Sequence, residues 1–130
     1  MSPVVVREYN KPLWKPVEIV EVGVIPEGQP GQFVLTLMLR GGVTEEWKRV
    51  FSGLIQTLEM PSHFKRTAWV AQGNEQAINL LTRDSLEGYV EGVNKHFRED
   101  VVPRLESERD QQDRDARFAV EAARRLNSSR

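Results

Sequence analysis

The chain has no cysteine among its 130 residues. That absence removes thiol nucleophiles, Cys-ligated zinc, iron–sulfur clusters and disulfide frameworks. It also lacks any apolar run near the roughly 20 residues a membrane span requires. Neither sign of charge dominates. Lys plus Arg number 18 and Asp plus Glu number 19, for a formal net charge of -1. Such a balance disfavours a dedicated nucleic-acid binder or a polybasic membrane anchor. Near the start, Arg7 and Glu8 end the short Val4–Val6 run well before a secretory core could form. A cytoplasmic location is the expectation. The glycines match no dinucleotide or phosphate-loop spacing, and no nucleophile-elbow, zincin or EF-hand pattern occurs. No catalytic residue, metal or cofactor is expected from these absences, and the sequence names no reaction.

What is present is the patterning of a small globular domain. A chain of this length can bury roughly two-thirds of its unfolded surface without staples. Residues 1–16 hold Pro3, Pro12 and Pro16 and read as an extended lead-in, with a short edge strand at Val4–Val6 and Trp14 docked on the body. Val17–Ile25 alternates as a strand, Pro26–Gly31 is a turn signal, and Gln32–Arg40 alternates again. In the second strand Phe33, Leu35, Leu37 and Leu39 form an apolar face. Thr44 is a candidate N-cap, followed by Glu45 and Glu46 where the helix dipole favours anions. Trp47, Val50, Phe51 and Leu54 then make one helical stripe ending before Pro61.

Residues 59–66 read as a loop, Thr67–Gln72 as a third strand, Gly73-Asn74 as a hairpin turn and Gln76–Thr82 as a fourth strand, with a helical turn as the alternative there. Asp84 with Glu87 suggests a capping box for a helix whose buried stripe is Leu86, Tyr89, Val90, Val93 and Phe97, continued by Val101. Pro103 marks a kink or a new helix start. Of the last 27 residues 13 are charged, with i, i+4 pairs such as Arg104–Glu108 and Glu121–Arg125. This stretch reads as a long charged helix. A coiled-coil heptad fails over its first part, since residues 106–115 hold no apolar side chain.

The expected architecture is therefore α+β, in the order ββαββα, with an antiparallel sheet carrying its helices on one face. Residues 17–103 would form a single domain and residues 104–130 a charged helical extension. This layout is a circular permutation of a ferredoxin-like fold. Strand alternation places Phe33, Leu35, Leu37, Leu39, Val20, Val22, Val24, Val70, Ile78 and Leu80 toward the helices. It leaves Ile19, Ile25, Val34, Thr36, Met38, Trp69, Asn79 and Leu81 on the other face. That second face is half apolar, whereas a solvated sheet face is usually polar. Something is expected to cover it: the N-terminal segment with Trp14, the C-terminal helix or another subunit.

The chemistry-bearing clusters are weaker. His63, Phe64, Lys65 and Arg66 precede Trp69, and together they suggest a nucleic-acid contact with Trp69 stacking on a base. A solvated loop beside a packed indole is the plainer account. His96 and Asp100 at i, i+4 are too few for a metal site. Glu45-Glu46 and Glu87 with Glu91 are ordinary helix-start and helix-surface carboxylates, and a single Arg40-Gly41-Gly42 is a turn. The leading expectation is a non-enzymatic interaction or assembly protein, a homo-oligomer or a subunit of a larger complex. Its contacts would be Ile19, Val34, Met38, Trp69 and Leu81 on the sheet and Phe118 and Val120 on the last helix. The nucleic-acid module using His63, Lys65, Arg66 and Trp69 is the alternative. A small-ligand-binding domain or enzyme without identifiable catalytic residues comes third.

Overall fold

Two stretches of alternating apolar residues build the first hairpin. In the computed structural model, which describes residues 13–128, β1 (Glu18–Pro26) pairs antiparallel with β2 (Gln32–Arg40). The turn between them contains Gly31 at φ 76°, in the left-handed region that glycine enters without steric cost. The expected Val4–Val6 strand lies outside the described residues. Helix α1 (Glu45–Ile55) starts as its sequence suggests. Thr44 Oγ1 accepts a hydrogen bond from the Trp47 amide at 3.1 Å, with Glu45 and Glu46 in the first turn. Its buried stripe is Trp47, Phe51 and Ile55. Leu54, expected within it, is exposed, because the stripe follows i, i+4, i+8 spacing.

The second half of the sheet differs from expectation. Strand β3 (Ser62–Lys65) forms inside the expected loop, and β4 (Ala68–Asn74) follows after Arg66-Thr67. Arg66 makes this tight connection at φ 57°, a conformation that residue type rarely marks. Gly73-Asn74 is not a hairpin turn. β4 runs through it, and Asn74 Oδ1 accepts from the Ala77 amide at 2.8 Å to cap a short helix, α2 (Glu75–Asn79). An asparagine side chain serves a helix start as readily as a turn. The expected strand at Gln76–Thr82 is thus α2 and the link to α3 (Arg83–His96). That helix is capped by a reciprocal Thr82–Ser85 box, each bond 3.0 Å, rather than by Asp84 and Glu87. Glu87 instead pairs with Arg83 one turn away.

The result is an α+β fold with a four-stranded antiparallel sheet in the order β1-β2-β4-β3. The ββαββα succession holds, and the strand order is that of a ferredoxin-like sheet with its last strand moved to the front. Beyond α3 the backbone passes through a π-helical turn (Phe97–Val101) into α4 (Val102–Ser128). Pro103 accounts for this turn. A regular helix would drive its ring into the Glu99 carbonyl, and the wider turn relieves the clash. The chain groups into two compact units, Lys15–Phe97 and a second that includes Trp14 and residues 98–128. Helix α4 buries none of its side chains. Among the described residues no helix is long and apolar enough to cross a membrane.

Within the Lys15–Phe97 unit, one sheet face meets the helices. Leu35, Leu37, Trp69 and Ala71 are fully buried there. Phe51 lies edge-on to Trp69, with ring centroids 5.6 Å apart, and to Phe64 at 5.8 Å. It stacks on Trp47 at 5.2 Å. Edge-to-face and stacked pairs of this kind contribute about 0.5–1.5 kcal/mol each beyond the area they bury.

Among the described residues, a single polar side chain is buried in this core. Asn94, only 3% exposed, donates through Nδ2 to the Val17 carbonyl at 2.8 Å. Its Oδ1 accepts from the Val17 amide at 3.1 Å and from Trp47 Nε1 at 3.2 Å. One amide thereby ties the segment before β1 to α1 and α3. Beside it, the Gly42 amide donates to the Lys15 carbonyl at 2.9 Å. Gly41 has φ 109°, and a Cβ added there would overlap the Pro16 carbonyl oxygen. Asn94→Leu would leave three buried donors or acceptors unpaired, so it should cost about 3 kcal/mol or more in urea denaturation. Gly41→Ala should cost about 2 kcal/mol or more, while Gly28→Ala, in open space, should stay within about 0.5 kcal/mol of the parent.

Candidate functional site

The sheet has a second face, and register defines it. Residues directly opposite in antiparallel strands share a face. Glu21 pairs with Met38, Met38 with Ala68, and Ala68 with Lys65. These four make one row across all four strands. The next row is Gly23, Thr36, Val70 and His63, and beyond it come Ile25, Val34 and Gln72. The middle of this face is apolar. Ile25 is 61% exposed and Met38 46%, while Val34, Thr36 and Val70 are half-buried. Its margins carry charge: Glu18 with its ion-pair partner Arg40, and Glu21, lie toward β1, and Lys65 lies on β3 with the His63 imidazole on the same face.

Several expected positions move. Trp69 pairs with Leu37 and is 1% exposed among the helices, so it is not on the outer face. Its large apolar surface outweighs that of Val70, which takes the outward position instead. Buried there, Trp69 cannot stack on a base, and the nucleic-acid arrangement loses its aromatic. His63 and Lys65 do share the outer face, and Arg66 occupies the adjoining turn. Ile19 pairs with Leu39 on the helical side. An irregularity between Ile19 and Glu21 leaves Val20 as the extra residue of a bulge, which reverses the alternation. Val20 is consequently half-exposed rather than core. Ile78 belongs to α2, and Leu80 and Leu81 to the link after it, with Leu80 exposed. Leu81 is therefore not a strand residue. Val34 and Met38 stand where alternation puts them. On α4, Phe118 is exposed and Val120 half-buried.

Two residues that matter are absent from the expected set. Val70, expected inward, faces outward because β4 offers a choice between two apolar alternations and Trp69 takes the buried one. Asn94 does carry a signal in the sequence, since it stands four residues after Val90 on a buried stripe, a spacing that marks it as facing inward.

The grooves offer little chemistry. One of about 400 Å³ is lined by Val17, Glu18, Ile19, Glu87, Val90, Glu91 and Asn94. Glu18 is held by Arg40 and Glu87 by Arg83, and both polar atoms of Asn94 are already bonded within the fold. A second, of about 280 Å³, has Val24, Phe33 and Ile78 with Glu75 and Asn79. Among the described residues no three His, Asp or Glu side chains group as metal ligands. Trp69 Nε1 is a buried donor without a hydrogen-bond partner among the described residues, an omission that costs about 1–3 kcal/mol and that indole burial offsets.

No known protein family, curated protein or solved structure matches this chain. Truncation separates the two faces experimentally. Trp69→Ala should lose about 3–5 kcal/mol of stability, and Met38→Ala less than about 1 kcal/mol, both read by urea denaturation.

Proposed function

We propose that this chain is a non-enzymatic interaction and assembly domain that docks protein partners on the outer face of its sheet. The observation that carries the reading is the Ile25, Val34, Thr36, Met38 and Val70 surface. Antiparallel sheets tolerate one solvated face, but that face is ordinarily polar. A contiguous apolar middle with a charged margin has the make-up of an interface core and rim. The rest of the molecule is consistent with this role. The grooves hold carboxylates that are already paired or isolated, and the one buried amide is consumed by the fold. Helix α4 supplies a second adhesive surface, with Phe118 and Leu126 exposed on a helix otherwise rich in charge. The lack of cysteine supports a reducing compartment, the cytoplasm, as its place of work.

Met38→Asp tests the reading, since the side chain is exposed and its replacement spares the core. The full chain should form an assembly by light scattering, or retain a partner when used as bait in lysate of its own host. The Asp variant should lose that association while keeping its melting temperature within a few degrees. If the parent and the variant behave alike in both measurements, the outer face is not a docking surface.

A further inference from the structure

We propose that the occupant of the outer face is a second copy of this chain, related by a two-fold axis lying between β2 and β4 and close to the strand direction. This rests on the docking role of that face and identifies what docks there. The row Glu21–Met38–Ala68–Lys65 carries the argument. A carboxylate stands at one end and an ammonium at the other, about 14 Å apart across three strand spacings. Glu21 and Lys65 are both exposed. Neither side chain has an ion-pair or hydrogen-bond partner among the described residues, whereas Glu18 and Arg40 on the same face pair with each other.

A face-to-face pair of identical sheets can take its two-fold axis across the strands or along them. The first choice lays β1 on the partner's β1, so acidic margin meets acidic margin. The second lays β1 on the partner's β3. Glu21 then stands over the partner's Lys65, and Lys65 over the partner's Glu21. Size matches as well: Met38 meets the partner's Ala68, Thr36 meets the partner's Val70, and Gly23 leaves room for the partner's His63. Large meets small at the Met38–Ala68 and His63–Gly23 contacts, as interdigitating sheet faces favour, while Thr36 and Val70 are of similar size. An axis about 15° from the strands gives the crossing angle of about 30° typical of aligned sheets.

The contact is modest in area. Four strands spaced about 4.8 Å apart and averaging about seven residues in length present a flat patch of about 400 Å² per copy. The two copies together bury about 800 Å², below the range of stable complexes and in that of weak, transient ones, so the pair dissociates on dilution and its charged rim sets its register.

Sedimentation equilibrium of the full chain over a concentration series tests this, using Glu21→Lys, Lys65→Glu, the double exchange and Met38→Asp. Each single reversal puts like charges together twice per dimer and should weaken the dimer about tenfold at low salt, with less effect at high salt. The double exchange should return the constant to within about twofold of the parent. Matching melting temperatures confirm that each variant folds. A dimer that Met38→Asp disrupts but that the exchange fails to restore overturns the two-fold arrangement and leaves the docking face standing. A parent that stays monomeric, yet captures a different protein in a Met38-dependent way, overturns self-association alone. A monomeric parent with no Met38-dependent capture overturns both.

Discussion

The amide of Asn94 joins three parts of the fold that local structure leaves separate. It holds the Val17 backbone by donor and acceptor at once and also receives the Trp47 indole proton. Val17 is where the chain enters β1, Trp47 opens the buried stripe of α1, and Asn94 itself belongs to α3. A buried amide left unpaired is costly, so its network is satisfied only when strand entry and both helices are in place together. The close approach of Gly41 to Pro16 reinforces the same junction, because only a residue without Cβ allows it. These contacts set how α1 and α3 lie over the sheet, and therefore which face they cover.

Once that face is covered, the aromatic residues have one place to go. Phe51 lies against Trp47, Trp69 and Phe64 in a cluster that fills the space between α1 and the strands. Trp69 accepts an unpaired indole proton in exchange for complete burial. The opposite face keeps smaller apolar side chains, Val34, Val70 and Ile25, together with Met38. These are too few and too exposed to stabilise the monomer much. The two faces are unequal: one is packed against the helices and stabilises the domain, and the other carries part-exposed apolar side chains.

Much of this was legible from residues close together in the chain. The β1–β2 hairpin follows from alternation on both sides of Pro26–Gly31, and the start of α1 from Thr44 with two glutamates behind it. The register that aligns Glu21 with Met38 is a consequence of that hairpin. The second hairpin was harder. Its turn is Arg66-Thr67, where the positive φ belongs to an arginine and leaves no compositional mark. Gly73-Asn74, which carries the mark, instead ends a strand and caps a helix. The compositional signal for a turn therefore lies one element later than the turn itself. Val34 and Met38 were placed correctly, but Ile19 was displaced by the bulge at Val20 and Trp69 by the parity of β4.

Periodicity, capping side chains and turn composition act over a few residues, and so the chain alone was enough to establish an α+β class, the first hairpin, the start of α1 and the presence of α3 with its Leu86, Val90 and Val93 stripe. Parity in β4 could not be resolved at that range, since Trp69 and Val70 are neighbours and both are apolar. It is settled by Phe51, which is far away in sequence and adjacent in space. The inward position of Asn94 has the same origin: its partners lie 77 and 47 residues away. Such pairings exist only once the chain has folded, and it is they that decide which sheet face the helices cover.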